Sequence, residues 1–408
     1  ETVRSLLAGR TPDSLQTAPP SVVQPSKVSR DVLRIPLGAL DAPQLALLST
    51  ASVLGENFEL TLLKHVTGLE IESLLDRLET ARQLGIVLAV APNRYRFRHA
   101  LIRTILYDDM PEAERVAVHR HAAELLSKAT DGDQRQSEIA IHYYNSLSAG
   151  DPAAATQATI GAAEAAEDVH AFEDAAMFYQ WALEAQARDA ETGPRERADL
   201  LVRCGHAQRL AGRDEDARRA LERAIALASK HGFSDLLVKA AGILRPTPVL
   251  STVPDELMQS ALEHALRTAP PGPHPRRIHA LSQLACMPPI AVDLERSKDT
   301  SALALALARE RRSEIERASE PALAADGDGS YPPSYARSHV ADGRSTLLEA
   351  LRARLYSLSG PDDIEALLAV CDEIVALDQP RTDISWRAHM SRYTALLARG
   401  ELRAARNA

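Results

Sequence analysis

Few side chains in this 408-residue sequence are placed to do chemistry. Arg94, Arg96 and Arg98 alternate along a run of period two, and Arg103 follows closely. Four guanidiniums so grouped could meet an anion. The plainer reading is a solvated strand face, because alternate residues of one strand must point somewhere polar. His99 and the run His142-Tyr143-Tyr144 are the other features that invite a chemical role. For a lone helical histidine the expectation is structural or capping work. His119 and His121 stand two apart, so on a helix they face different ways and make no metal pair. Cys204, Cys286 and Cys371 lie far apart, are odd in number and form no CxxC. They are expected to be free, buried thiols in a reducing cytoplasm.

Other chemistries are missing from the text. The patterns GxxxxGK[ST], HExxH, GxSxG and GxGxxG do not occur, and no Gly-Lys dipeptide exists. Asp326-Gly327-Asp328 opens like a calcium loop, but the closing glutamate is not in its place. No catalytic residue, no metal and no cofactor is therefore expected within the chain. Trp181 and Trp386 lie in helical stripes and read as core rather than as ligand platforms.

The elements that position these residues meet at one joint. Arg94-Tyr95-Arg96-Phe97-Arg98 alternates and stops at His99; Leu101, Ile102, Ile105 and Leu106 then share a helical face. Period two giving way to period 3.6 is a strand feeding a helix. Before the joint, residues 35–110 read as a winged-helix-like module. Ala42–Leu54 is its first helix, with Leu47, Leu48, Ala51 and Leu54 inward and Gly55 as the stop. The second is Glu59–Val66, closed by Gly68. The third is Glu70–Leu84, with Ile71, Leu74, Leu75 and Leu78 on one stripe. Strands Ile86–Val90 and Arg94–Arg98 follow. The third helix carries Glu70, Glu72, Asp76 and Glu79 against Arg77 and Arg82, so it would repel phosphates. Packing or sensing is favoured there over DNA contact.

Residues 1–10 read as a helix tail and 11–34 as a Pro-rich linker. Residues 111–152 form a helical connector: a helix over 111–129 with Pro111 in its first turn, then Glu138–Leu147. From 153 to 408 the chain reads as degenerate tetratricopeptide-like repeats, so the fold class is mainly α, a small winged-helix module followed by an α-solenoid. Leu201, Gly205, Ala217, Leu221 and Ala224 fall on the signature places of such a repeat, and Ala175, Tyr179 and Ala182 on the second-helix places of the preceding one. Small residues recur because they let two helices approach. A third unit is Glu256–Arg267 with Arg277–Cys286; then come Ala302–Arg317, a polar loop at 320–343, Leu347–Leu358, Asp362–Leu377 and a last pair from Ile384 in which Gly400 and Ala405 hold repeat places. Both ends of the sequence read as cuts. Composition agrees with helix: apolar residues are 45% but aromatics only 4%, so the core is Ala, Leu, Ile and Val. A net charge of -9 gives no global attraction to nucleic acid, and no run of about 18 apolar residues offers a membrane span.

The blocks ALLSTASVLGENFEL (46–60), LLDRLETARQLGIV (74–87), NRYRFRHALIRTILYDDMP (93–111), EIAIHYYNSLSAGDP (138–152) and AFEDAAMFYQWALEA (171–185) together resemble the region after the ATPase domain in bacterial signal-transducing ATPases with numerous domains (STAND). The resemblance covers the first half well and the second half in style. It implies an AAA-like ATPase domain preceding this region, with ETVRSLLAGR (1–10) as its last helix, and ATP or ADP as the ligand of the parent protein. It implies that the winged helix rests on that domain while the repeats bind a protein or small-molecule effector. It also implies that His99, with Arg98 beside it, senses the ADP phosphate and holds the off state. A helix N-terminus favours an anion at such a place. The other class of function is a stand-alone tetratricopeptide scaffold that docks proteins, and a third is a DNA-binding winged helix.

Overall fold

The computed structural model describes residues 35–129, 132–244, 256–287, 293–317, 343–358, 360–377 and 383–406. The expected tail 1–10, the linker 11–34 and the loop 320–343, Gly343 excepted, lie outside them. The described residues are mainly helical and fall into two compact units, one ending at Glu191 and one starting at Thr192.

The first unit begins with α1, Ala42–Leu54. Asp41 caps it: its carboxylate accepts from the Gln44 amide at 2.7 Å, and the Gln44 side chain accepts from the Asp41 amide at 3.0 Å. Strand β1, Asn57–Glu59, comes next and precedes α2, Leu60–Thr67. The helix expected from Glu59 starts at Leu60, and Glu59 ends a strand instead. Three residues are too few to show a period, and Phe58 is buried only because β3 lies beside it. Gly68 ends α2 in the left-handed region, φ 69°, its amide bonding Lys64 O.

Helix α3 is Ile71–Gln83, with Leu74, Leu78 and Ala81 buried. Leu75, expected on the same stripe, is 42% exposed; the inward face follows 74, 78 and 81 instead. Strands β2, Val87–Ala91, and β3, Arg94–Phe97, complete an antiparallel sheet of order β1-β3-β2, with a register shift at Ala89/Ala91. The central strand of that sheet runs directly into α4, Ala100–Asp109. One core is shared by all of these elements: Leu48, Leu54, Leu63, Leu74, Leu78, Ile86, Phe97 and Ile102 are each at most 2% exposed. Fully burying each such side chain stabilises the fold by about 1.5–3 kcal/mol.

Four further helices finish the unit: α5 (Glu112–Ser127), α6 (Gln136–Asn145), α7 (Pro152–Asp168) and α8 (Phe172–Gln186). Pro111 is the cap residue of α5 rather than its first-turn residue. A 3-10 turn, Gly132–Arg135, leads into α6.

In the second unit α9 (Pro194–Leu210) and α10 (Asp214–His231) form an antiparallel pair. Helix α11, Ser234–Leu244, lies outside the expected repeat units; its buried Asp235 and Lys239 interrupt the apolar pattern, and they are matched by Arg195 at 2.6 Å and Asp199 at 3.8 Å on α9. Then come α12 (Glu256–Thr268), α13 (Pro275–Ala285) and α14 (Leu294–Arg317). Helix α14 starts eight residues before the expected Ala302, on a polar first stretch. Helices α15 (Gly343–Ser357), α16 (Ile364–Leu377), α17 (Asp383–Ala398) and α18 (Leu402–Arg406) follow. Trp386, expected in the core, is 64% exposed. The inward face of α17 is carried by Ser385, Ala388, Ala395 and Leu396, which places Trp386 outward.

Candidate functional site

The joint between β3 and α4 is held by the backbone. Phe97 donates its amide to Glu56 O at 2.9 Å, and Arg98 donates to Ile86 O at 2.9 Å. Phe97 is wholly buried and its ring lies 5.4 Å from that of Phe58. His99 is therefore fixed as the cap residue of α4, in extended conformation (φ -131°, ψ 128°), with Ile102 donating to its carbonyl at 2.9 Å. Its side chain is exposed and makes no capping bond. Arg98 is exposed beside it and lies over Gly85, where an added Cβ would come within 3.2 Å of Arg98 Nη1. Gly85 has φ 68°, so glycine suits that turn on two counts. The joint thus presents an imidazole and a guanidinium at the positive end of a helix, a combination that favours a negative group.

The arginine run does not act as one face. Arg94, Arg96 and Arg98 point outward from β3 while Phe97 points in. Arg94 pairs with Glu59 at 3.1 Å; Glu59 also pairs with Arg135 at 3.3 Å, and Arg135 pairs with Glu138 at 2.8 Å. Arg103 is not on this face at all. It is buried in α4, its Nε donating to Ser52 O of α1 at 2.8 Å. Burial pulls its pKa down, against the nearby Tyr107 and Glu56. One helical turn separates the two environments, which period-two counting could not register.

On α3 both arginines are engaged. Arg82 pairs with Glu79 at 2.7 Å, and Arg77 donates to Pro43 O at 3.3 Å. The hydrogen bonds from Arg82 and Gln83 hold the Glu79 carboxyl down at about 2. The helix keeps its acidic surface.

Behind the joint lies a buried polar chain that no spacing rule reveals. Tyr107 Oη at the end of α4 is 3.0 Å from His119 Nε2 on α5, and His119 Nδ1 is 2.8 Å from His142 Nδ1 on α6. Both histidines are at most 1% exposed. Burial drives the His142 imidazole down to about 3, with Arg103 and Arg135 adding to the effect; His119 is pushed well below 6.5 by burial and by His142. Both rings are thus neutral. His119 stands in the buried stripe Val116, Ala122, Ala123, Leu126, the one sequence signal that its ring faces inward.

The repeat positions are interior packing positions of the helix pairs. Ala175, Tyr179, Ala182, Leu201, Ala217, Leu221 and Ala224 are each at most 3% exposed, and Gly205 is buried. A Cβ on Gly205 would fall 2.7 Å from Leu221 Cγ and 3.3 Å from Ala217 O, so three signature residues meet where α9 packs against α10. Tyr179 donates to Glu167 at 3.3 Å across the α7/α8 pair.

The turns inside three of the pairs are built alike. Arg213 bonds Gln208 O and Ala217 bonds Arg213 O; 42 residues earlier Ala171 bonds Ala166 O and Ala175 bonds Ala171 O. Between α17 and α18, 188 residues later, Glu401 bonds Leu396 O and Ala405 bonds Glu401 O. The left-handed residue of the three turns is Gly212 (φ 75°), His170 (φ 60°) and Gly400 (φ 78°).

Cys204 and Cys371 are buried and Cys286 is half-buried, none in a disulfide. Burial raises the Cys204 thiol to about 12 and the Cys371 thiol to about 11, which removes thiolate chemistry from both. Among the described residues no group of three or more potential ligands could hold a metal ion, and no helix is long and apolar enough to cross a membrane.

No family model and no curated protein matches the chain. Among solved structures it is similar to a Signal Transduction ATPase with Numerous Domains (STAND) protein with a tetratricopeptide repeat sensor from Pyrococcus horikoshii, at 14% identity and a TM-score of 0.28, over 91% of this chain. The chain spans 62% of the length of that protein.

Proposed function

We propose that this chain is the sensing and coupling part of an ATP-gated regulator, with no catalytic role of its own. The helical repeats bind a protein or small-molecule effector. The three-helix module with its antiparallel sheet acts as a winged helix that couples the repeats to an ATPase domain of the parent protein, in the cytoplasm. His99 and Arg98 sense the phosphate of ADP bound there. Nucleic acid is not the partner of α3, whose arginines are engaged and whose surface is acidic.

The observation that carries this reading is the placement of His99: outward, at the first turn of α4, with no capping bond of its own and Arg98 adjacent. A side chain left so at a helix N-terminus serves neither core nor cap. The test is ADP retention by the protein expressed from its whole reading frame. His99→Ala should shorten ADP retention and leave the thermal midpoint unchanged. Equal ADP affinity in both proteins would remove His99 from the reading, and an absence of any nucleotide binding would favour the stand-alone scaffold.

A further inference from the structure

Helix α6 carries ring contacts on two sides. His142 and Tyr144 are two residues apart, about 200° around the axis at 3.6 residues per turn. On one side His142 meets His119 of α5, and through it Tyr107 of α4. On the other, Tyr144 lies flat on Trp181 of α8, with ring centroids 4.3 Å apart and planes 5° apart. The Tyr144 hydroxyl donates to Glu184 of α8 at 2.5 Å. Phe178, itself buried, closes the stack edge-on against Trp181 at 5.5 Å. Helix α6 is thus a rod gripped by α5 on one side and by the first helix pair on the other.

The buried chain has two discrete arrangements. In one, Tyr107 Oη–H donates to His119 Nε2 and His119 Nδ1–H donates to His142 Nδ1. The remaining proton then sits on His142 Nε2, which meets no hydrogen-bond partner among the described residues. In the other, His142 Nδ1–H donates to His119 Nδ1, and His119 Nε2–H donates to Tyr107 Oη. Each arrangement leaves one proton at an end of the chain without an acceptor within it, His142 Nε2–H in the first and Tyr107 Oη–H in the second. Three apolar side chains would bind α4, α5 and α6 together as well as this chain does. A hydrogen-bonded chain differs in being directional: a shift of one helix breaks its bonds together rather than by degrees.

We infer that the Tyr144–Trp181 stack and the His142–His119–Tyr107 chain form one mechanical coupling, which carries a displacement of α8 through α6 to α4, the helix whose first turn holds His99. The inference takes its purpose from the regulatory reading above, but its existence can be tested without it. The measurement is amide hydrogen exchange on the whole chain, with no nucleotide or effector present. Trp181→Leu removes the stack and should speed exchange across Ala100–Asp109 by about fivefold, a local-opening effect. In a Tyr107→Phe background, which lacks only the terminal hydroxyl, the same change should leave Ala100–Asp109 within about twofold of Tyr107→Phe alone, while α6 still responds. Exchange in α4 that ignores Trp181→Leu, or that responds equally in both backgrounds, overturns the coupling. Should Trp181→Leu unfold the first unit, Trp181→Phe, which cuts down the stacked surface under Tyr144, replaces it with the same two outcomes. Loss of the coupling would leave ADP binding at His99 standing, and loss of ADP binding would leave the coupling standing.

Discussion

His119 and His142 face each other Nδ1 to Nδ1 at 2.8 Å, from two helices and out of contact with water. At that distance one nitrogen must carry a proton and the other must not. Protonating one ring would bury a charge between the helices, and protonating both would oppose two N–H groups in that space.

Acid should therefore loosen the first unit before its carboxylates titrate. Both folded pKa values lie below 6.5, His142 at about 3, so the unfolded chain binds more protons than the folded one once the pH drops below 6.5. Stability is then at its full value above pH 6.5 and falls as the pH goes down towards the folded values, by about 1.4 kcal/mol per pH unit for each histidine. Urea midpoints followed through Trp181 fluorescence, with Trp386→Phe to silence the other indole, should decline between pH 6.5 and 4.5. His142→Leu should remove about one proton from that slope. A flat midpoint over this range would contradict the buried, neutral pair.

Gly205 is where a single methyl group matters most in the repeats. Its Cβ would overlap Leu221 Cγ at 2.7 Å, so Gly205→Ala should destabilise by about 1–3 kcal/mol through overpacking. Leu221→Ala should cost about 2–5 kcal/mol alone. The double variant should lose less than the sum, because the two changes share one space. Strict additivity in denaturant titrations would deny the close approach.

His170 holds φ 60° where Gly212 and Gly400 hold the same place in their turns. An L side chain in the left-handed region costs about 1–2 kcal/mol. His170→Gly should raise the stability of the first unit by about 1 kcal/mol, and Gly212→Ala should lower that of the second by a similar amount. Calorimetry on both variants checks the pair. An unchanged or lowered midpoint for His170→Gly would mean that its ring contact with Phe172, 5.7 Å between centroids, outweighs the strain.

Arg96 and Arg103 look alike in the text and should behave unlike in the test tube. Arg103→Ala leaves Ser52 O without its buried donor and opens space beside Tyr107, so a loss of about 3 kcal/mol is expected. Arg96 is exposed on the sheet, and Arg96→Ala should stay within about 0.5 kcal/mol of the parent. Equal urea midpoints for the two variants would refute the assignment of Arg103 to the interior.

What the sequence determined by itself is whatever repeats along one chain segment. The α1 stripe, the β3-to-α4 switch and the small residues at 175, 182, 205 and 217 all show as period or spacing, because each element buries one face and its pattern follows from its own geometry. Tertiary structure alone decided everything that depends on a partner distant in sequence. Strand β1 exists because β3 is there to pair with it; Leu75 and Trp386 face water because neighbouring positions on their helices won the inward side. Arg103 went inside because Ser52 offered a carbonyl. Tyr107, His119 and His142 stand 12 and 23 residues apart, intervals with no periodic meaning, and only the packing of three helices brings their polar atoms within 3.0 Å. A hydrogen bond needs a position in space, and helix periodicity supplies only a direction.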